Sequence, residues 1–98
     1  MSFIDPLSKV FNELKKAEGR FILYKNSACE ADARIQYDAA QEHVLEAIKA
    51  ATELDDISVK QSLGLLFHAL TNKKSNIETL LWNALNSVSE AICAEIGM

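Results

Sequence analysis

Residues 15–25, KKAEGRFILYK, decide whether this chain is all helical. Gly19 could end a helix and leave the following apolar run as a β-strand, which would give an α+β arrangement. The phase of the apolar residues favours a continuous helix, because Phe21 and Tyr24 extend the stripe of the preceding turns while Gly19 lies on the solvent side. A glycine there costs about 1 kcal/mol relative to alanine, which a packed face can offset. We therefore predict one helix over about residues 6–25.

The residues on either side of this stretch indicate where the first two helices begin. Asp5 is a good N-cap and Pro6 suits the first position of a helix. Further along, the tetrapeptide SACE has the form of a capping box, with Ser27 as N-cap and Glu30 three residues later. It predicts a second helix over about 28–53, with an inward face rich in alanine.

The motif LDDIS ends the second helix and opens a third over about 57–71. It offers three N-cap candidates, Asp55, Asp56 and Ser58. The apolar residues that follow recur at helical spacing and form one stripe.

A second capping box, Ser75 with Glu78, predicts a fourth helix over about 76–96, and Gly97 lies where a C-terminal cap is expected. Four amphipathic helices joined by short loops predict an all-α, antiparallel up-down four-helix bundle in a single domain of residues 1–98. The alternative is two helical hairpins that bury their apolar faces in a second copy.

Composition and charge exclude several classes of function. Nearly half of the 98 residues are apolar, which argues against disorder. The net charge is −4, and residues 27–56 hold eight acidic side chains against two basic ones, which argues against direct binding of nucleic acid. No apolar run approaches the roughly 20 residues that cross a bilayer, and no secretory signal is visible. We expect a cytoplasmic protein whose two cysteines, Cys29 and Cys93, are reduced thiols.

Motifs for catalysis, metals and cofactors are missing from the sequence. It has no nucleophile elbow, phosphate loop or dinucleotide motif. Neither His43 nor His68 has a glutamate three residues before it, which a di-iron helical bundle requires. We therefore expect no enzymatic activity, no metal and no cofactor.

One histidine suggests an alternative function. On the third helix His68 lies about 160° from the core stripe and should face solvent. The segment HALTN resembles the histidine phosphotransfer domains of bacterial phosphorelays, which are also four-helix bundles. Those domains carry His, any residue, Leu, Lys and Gly, whereas this chain has Thr71 and Asn72 in the last two positions. The resemblance implies a phosphorelay component with His68 as phospho-acceptor.

Trp82 is the residue that most strongly indicates a binding surface. It projects about 130° from the core face of the fourth helix, so the apolar arc of this helix is unusually wide. A helix that is apolar over most of its surface is buried on more than one side, either by the first helix or by another protein chain. Tryptophan is also enriched at binding hot spots. The predicted partner-binding or dimer interface comprises Trp82, Leu85, Ser89, Ile92, Cys93 and Ile96.

The acidic excess lies on the outward faces of the second helix. These residues form a predicted acidic face: Asp32, Asp38, Glu42, Glu46 and Glu53. Together, the two surfaces predict a small protein–protein interaction module that pairs with itself and binds another protein, such as an adaptor, inhibitor, chaperone-like protein or regulator.

Overall fold

A computed structural model of the chain describes residues 4–97. They form four α-helices, α1 (Ile4–Lys25), α2 (Glu30–Ala51), α3 (Ile57–Thr71) and α4 (Ile77–Glu95), and no strand occurs within these residues. They occupy a volume of 46 × 21 × 19 Å with a radius of gyration of 13.5 Å. The prediction of an all-helical chain with four helices is confirmed.

α1 runs without interruption through residues 15–25. Gly19 is exposed, and a Cβ added there would meet no neighbouring atom. Phe21 is buried and Tyr24 is half-buried, so the apolar stripe continues past the glycine as predicted. The start differs from the prediction, because α1 already includes Ile4. Asp5 therefore lies in the first turn, where its carboxylate still faces the positive end of the helix dipole.

The capping box predicted for α2 is wrong. The helix begins at Glu30, and its N-cap is Cys29, whose side chain makes no capping hydrogen bond. The Ser27 hydroxyl instead lies 2.8 Å from Asp32 Oδ2 and 3.1 Å from the Cys29 carbonyl oxygen. The physical reason is that α2 begins three residues after Ser27, so this hydroxyl does not stand at the N-cap position and instead donates to the Asp32 carboxylate in a charge-assisted bond.

The capping box predicted for α4 is also wrong. The N-cap is Asn76, which makes no side-chain capping bond, and Ser75 lies outside the helix. Glu78, which should have completed the box, instead forms an ion pair with Lys25 at the end of α1.

The turn between α3 and α4 is closed by backbone hydrogen bonds to α3. Lys73 adopts a left-handed conformation, with φ of 50°. The Lys74 N–H donates to the Ala69 carbonyl at 2.9 Å, and the Lys73 N–H donates to Leu70 at 3.4 Å. This pattern closes α3 with a Schellman motif immediately before Ser75.

The cap of α3 and the end of α4 agree with expectation. Asp56, one of three candidates, is the N-cap of α3, and its Oδ1 accepts the Val59 N–H at 3.2 Å. Gly97 follows α4 with φ of 76°, a conformation that glycine adopts without steric cost.

The four helices surround one core, because α1 and α3 each pack against both α2 and α4. The predicted stripes supply nearly all buried residues; the sequence interpretation omitted Leu54 in the loop before α3 and Ala69 within it. Each fully buried leucine or valine contributes about 1.5–3 kcal/mol through removal from water. The largest fully buried side chains are Val10, Leu14, Val44, Val59, Leu63, Leu66 and Val88.

Candidate protein-binding face

Trp82 lies on the outer side of α4, beside α1. It is 64% exposed, so the first helix does not bury it. A groove of about 200 Å³ separates the two helices here, and Trp82 lines it together with Phe21 and Ile22 of α1. Lys25 and Glu78, which form the ion pair between the helices, line the same groove. The indole therefore borders the groove beside α1 while most of its surface faces solvent.

We define the α1/α4 face by five exposed residues: Ile22 of α1 with Trp82, Ser89, Cys93 and Ile96 of α4 and its C-cap. Ile22 and Ile96 are each more than half exposed, at 52% and 51%. The α4 positions follow one another at intervals of three, four or seven residues, which places them along one side of a helix. The Ile96 N–H bonds the Ile92 carbonyl at 3.1 Å, which continues this side past the last helical residue.

Two residues predicted for this interface lie beneath it instead. Leu85 is buried in the core, where a partner could not reach it without rearrangement. Ile92 is half-buried and packs against the core, as does Phe11 of α1. They support the α1/α4 face from below, and its exposed part is narrower than the sequence pattern indicated.

Two ion pairs lie beside the α1/α4 face, whose five residues include none that is acidic or basic. Lys25 bonds Glu78 at the Trp82 end, and Lys15 Nζ lies 2.9 Å from Glu18 Oε1 on α1. Opposite charges that already neutralise each other leave little long-range field, so the chemistry that this face offers is apolar contact rather than proton transfer or anion binding.

The five residues of the predicted acidic face, on α2 and in the loop that follows it, are all exposed. Asp32 is tied to Ser27, and Glu46 pairs with Lys49 at 3.3 Å on the same helix. Such exposed pairs contribute well under 1 kcal/mol each. The remaining members are exposed as well: Asp38, Glu42 and Glu53.

His68 is exposed on α3, as predicted. The Asn72 side-chain nitrogen lies 2.9 Å from the His68 carbonyl oxygen and 3.3 and 3.4 Å from the two ring nitrogens. The amide therefore lies against the imidazole and covers one side of it, at the position where the phosphotransfer pattern has glycine.

The contact between Glu13 and His43 was not predicted from the sequence. His43 Nδ1 lies 2.8 Å from Glu13 Oε2, which links α2 to α1, and Lys16 Nζ lies 3.4 Å from Glu13 Oε1. Burial raises the pKa of Glu13, but the hydrogen bond from His43 and the charge of Lys16 outweigh it, so this pKa lies below its ordinary value. Glu13 and His43 each flank a buried residue, Leu14 and Val44, and that edge position was the available signal.

A broader cleft of about 730 Å³ lies where the end of α1, the start of α2 and the end of α3 meet. Its floor is Tyr37, whose hydroxyl donates to the Leu70 carbonyl and whose ring packs edge-on against Tyr24, with centroids 4.9 Å apart. Lys73 lies over the Tyr37 ring, 5.7 Å from its centroid. Burial, and then the neighbouring Tyr24, raise the pKa of Tyr37, so the phenol remains a hydrogen-bond donor that anchors α2 to α3.

Residues 4–97 contain no cluster of three or more histidine, cysteine or acidic side chains that could hold a metal ion. Within the same range, none of the helices has the length and apolar character needed to cross a membrane. Comparison with protein-family models, with curated proteins and with solved structures finds no match.

Proposed function

We propose that this chain is a cytoplasmic, non-enzymatic protein–protein interaction module that pairs with a second copy of itself through the α1/α4 face. The observation that carries the proposal is the exposed indole of Trp82 beside the exposed Ile22 on the neighbouring helix. Single exposed apolar side chains are common on protein surfaces, whereas contiguous ones on two packed helices are typical of interfaces.

The energetics of this face favour a protein partner. Tryptophan and isoleucine lose unfavourable contact with water when they are covered, at about 25 cal/mol per Å² of apolar surface. A rigid aromatic side chain loses little conformational freedom on binding, which is one reason that tryptophan is enriched among hot spots. Because a symmetric dimer covers the same patch on both chains, it is the commonest way to bury such a surface.

We also propose the antiparallel up-down order of the helices. It is supported by the contacts between α1 and α2, in which Glu13 meets His43 and Arg20 meets Gln36. The residue numbers rise on one helix as they fall on the other, which is the pattern of antiparallel neighbours.

The acidic face of α2 has a separate role in this proposal. Asp38, Glu42 and Glu53 are exposed and belong to a segment with a large acidic excess. A surface of one sign accelerates encounter with a partner of opposite charge and keeps an assembly soluble. We expect it to face a basic surface on another protein, in the manner of an adaptor, inhibitor, chaperone-like protein or regulator.

Trp82→Glu tests the proposal by placing a charge in the α1/α4 face. Sedimentation equilibrium should show a dimer for the wild type and a shift toward monomer for the variant, while circular dichroism shows unchanged helicity. Leu65→Glu is the matched control, because Leu65 is 58% exposed on α3, away from this face, and should leave the dimer intact. A monomeric wild type at high concentration contradicts self-pairing, and an unfolded Trp82→Glu chain contradicts the surface role of Trp82.

The phosphorelay alternative has one observation in its favour, the exposed imidazole of His68. It is tested by incubating the protein with a small phosphodonor such as acetyl phosphate. Acid-labile label that is lost in His68→Gln but kept in His43→Gln supports it, and the absence of label eliminates it.

A further inference from the structure

The structure restricts which surface can meet its own copy. The formal net charges of α2 and α4 are both −3, from five acidic and two basic residues in α2 and from three acidic residues in α4, so the residues at the contact itself decide whether two copies repel each other. The α4 side of the α1/α4 face carries Trp82, Ser89, Cys93 and Ile96, none of which is an acidic or basic residue. Self-pairing along this line therefore places side chains that are neither acidic nor basic at the contact, while Glu90 of each copy lies at its edge.

The order of side-chain sizes along α4 suggests a specific alignment. Trp82 and Ile96 each lie seven residues from Ser89, one on either side. The smallest of the three is thus in the middle, with a bulky apolar residue two turns away in each direction. Two helices that cross are closest at the crossing point and diverge on both sides, so a small residue fits at the centre and large ones fill the diverging ends.

We propose that two copies pair through antiparallel α4 helices that cross at Ser89, a proposal that rests on the self-pairing proposed above. The two-fold axis passes between Ser89 and the Ser89 of the second copy. Trp82 of each chain then packs against Ile96 of the other, and the half-buried Ile92 lies beneath the contact.

The size of the α1/α4 face is consistent with a stable dimer. α4 has 19 residues and is therefore about 28 Å long. The molecule is 19–21 Å across its shorter dimensions, so the side that contains α1 and α4 has a projected area on the order of 550 Å² per chain, or about 1,100 Å² in total if all of it is covered. This value clears the roughly 1,000 Å² expected of a specific interface, which Trp82 alone would not provide.

Disulfide crosslinking tests the alignment, since two Cα atoms must approach within about 7 Å for a disulfide to form. One variant, Cys29→Ser with Cys93→Ser and Ser89→Cys, carries a single cysteine at the proposed crossing point. The matched control, Cys29→Ser alone, keeps the single cysteine Cys93. Four residues from the centre, the two copies of Cys93 would be about 12 Å apart along the helices.

Both proteins are oxidised mildly with glutathione disulfide, and covalent dimers are measured by electrophoresis under non-reducing conditions. The mass of each reduced protein is measured separately by sedimentation. We expect the Ser89→Cys chain to form covalent dimers at least about tenfold faster than the Cys93 chain, in keeping with the distance limit. Equal rates, or faster linkage through Cys93, would indicate parallel or shifted helices and overturn the alignment. If the reduced protein is dimeric but the Ser89→Cys chain never crosslinks on oxidation, the proposed alignment is overturned and the proposed self-pairing still stands. A reduced protein that is monomeric removes both.

Discussion

The Glu13 carboxylate accepts hydrogen bonds on both of its oxygens, from His43 of α2 and from Lys16 of its own helix. An ionised carboxylate can only accept, so the hydrogen in the first bond belongs to His43 Nδ1. Charge-assisted bonds of this kind are stronger than bonds between neutral groups, and here one of them joins two helices. Their combined effect holds the pKa of Glu13 below its ordinary value.

This lowered pKa predicts an acid-dependent loss of stability. A carboxyl whose pKa is lower in the folded than in the unfolded chain stabilises the fold fully above its unfolded pKa, near 4.3. That contribution is lost as pH falls through the folded value. Glu13→Gln should therefore lower the free energy of unfolding at pH 7 and make it less dependent on pH below about 5, as measured by urea denaturation across pH.

Glu46→Gln is the control for this experiment, because Glu46 makes only an exposed pairing with Lys49. It should change stability by less than about 0.5 kcal/mol at any pH in the series. If Glu13→Gln behaved in the same way, the Glu13–His43 contact would contribute nothing to the fold in solution.

At the residue scale, the sequence predicted which side chains are exposed better than it predicted which side chains contact each other. The positions of Gly19 and His68 on the helical wheel were sufficient to place both on the surface. The Glu13–His43 bond was beyond reach, because a helical wheel shows which way a side chain points but not which helix it faces. For the same reason, the sequence left open whether Trp82 is covered by its own chain or by another one. The structure shows α1 beside Trp82 and most of the indole open to solvent.

At the scale of helices, the apolar periodicity predicted that four helices exist and approximately where each one lies. Each apolar stripe spans several turns, so one residue that departs from the pattern does not obscure it. Helix starts depend on a few atoms and on contacts made elsewhere. Asp56 caps α3, whereas Ser27 bonds Asp32 and Glu78 bonds Lys25. The same capping pattern in a sequence can therefore be diverted by a competing charge, which local spacing does not reveal.

The caps lead to a prediction for two residues that each precede a helix. Asp56→Ala should lower the free energy of unfolding by about 1 kcal/mol, because the Val59 N–H loses its acceptor and the start of α3 loses a negative charge. Ser75→Ala should change it by less than about 0.5 kcal/mol, since Ser75 lies outside α4. Chemical denaturation at one fixed protein concentration compares them. An equal loss in both variants would mean that Ser75 does cap α4 in solution.

At the scale of the whole molecule, the bundle buries its apolar stripes within one chain and still leaves large apolar residues on each helix exposed. Ile35 on α2 and Leu65 on α3 are exposed, but neither of these helices contributes to the α1/α4 face. Trp82 and Ile22 lie together across a helix junction. The proposed role of the α1/α4 face therefore rests on two exposed large apolar residues of different helices that line one groove.

Self-pairing makes stability depend on concentration, because a partner that binds only the folded chain shifts the unfolding equilibrium by mass action. Above the dissociation constant, free folded monomer rises with the square root of total protein, so each tenfold increase should stabilise each chain by about 0.7 kcal/mol. For a domain of this size that corresponds to a rise in Tm of about 3–5 °C per tenfold. Thermal denaturation of the wild type across a hundredfold range of concentration measures it.

Trp82→Glu should remove this dependence, and Leu65→Glu should retain it, because only the first substitution places a charge in the α1/α4 face. The comparison does not require the two variants to be equally stable, since the slope with concentration, and not the Tm itself, reports pairing. A wild-type Tm that stays constant over the whole range would show that the bundle is stable as a single chain and that the α1/α4 face is left for a different protein. A slope that persists in Trp82→Glu and vanishes in Leu65→Glu would move the interface to α3.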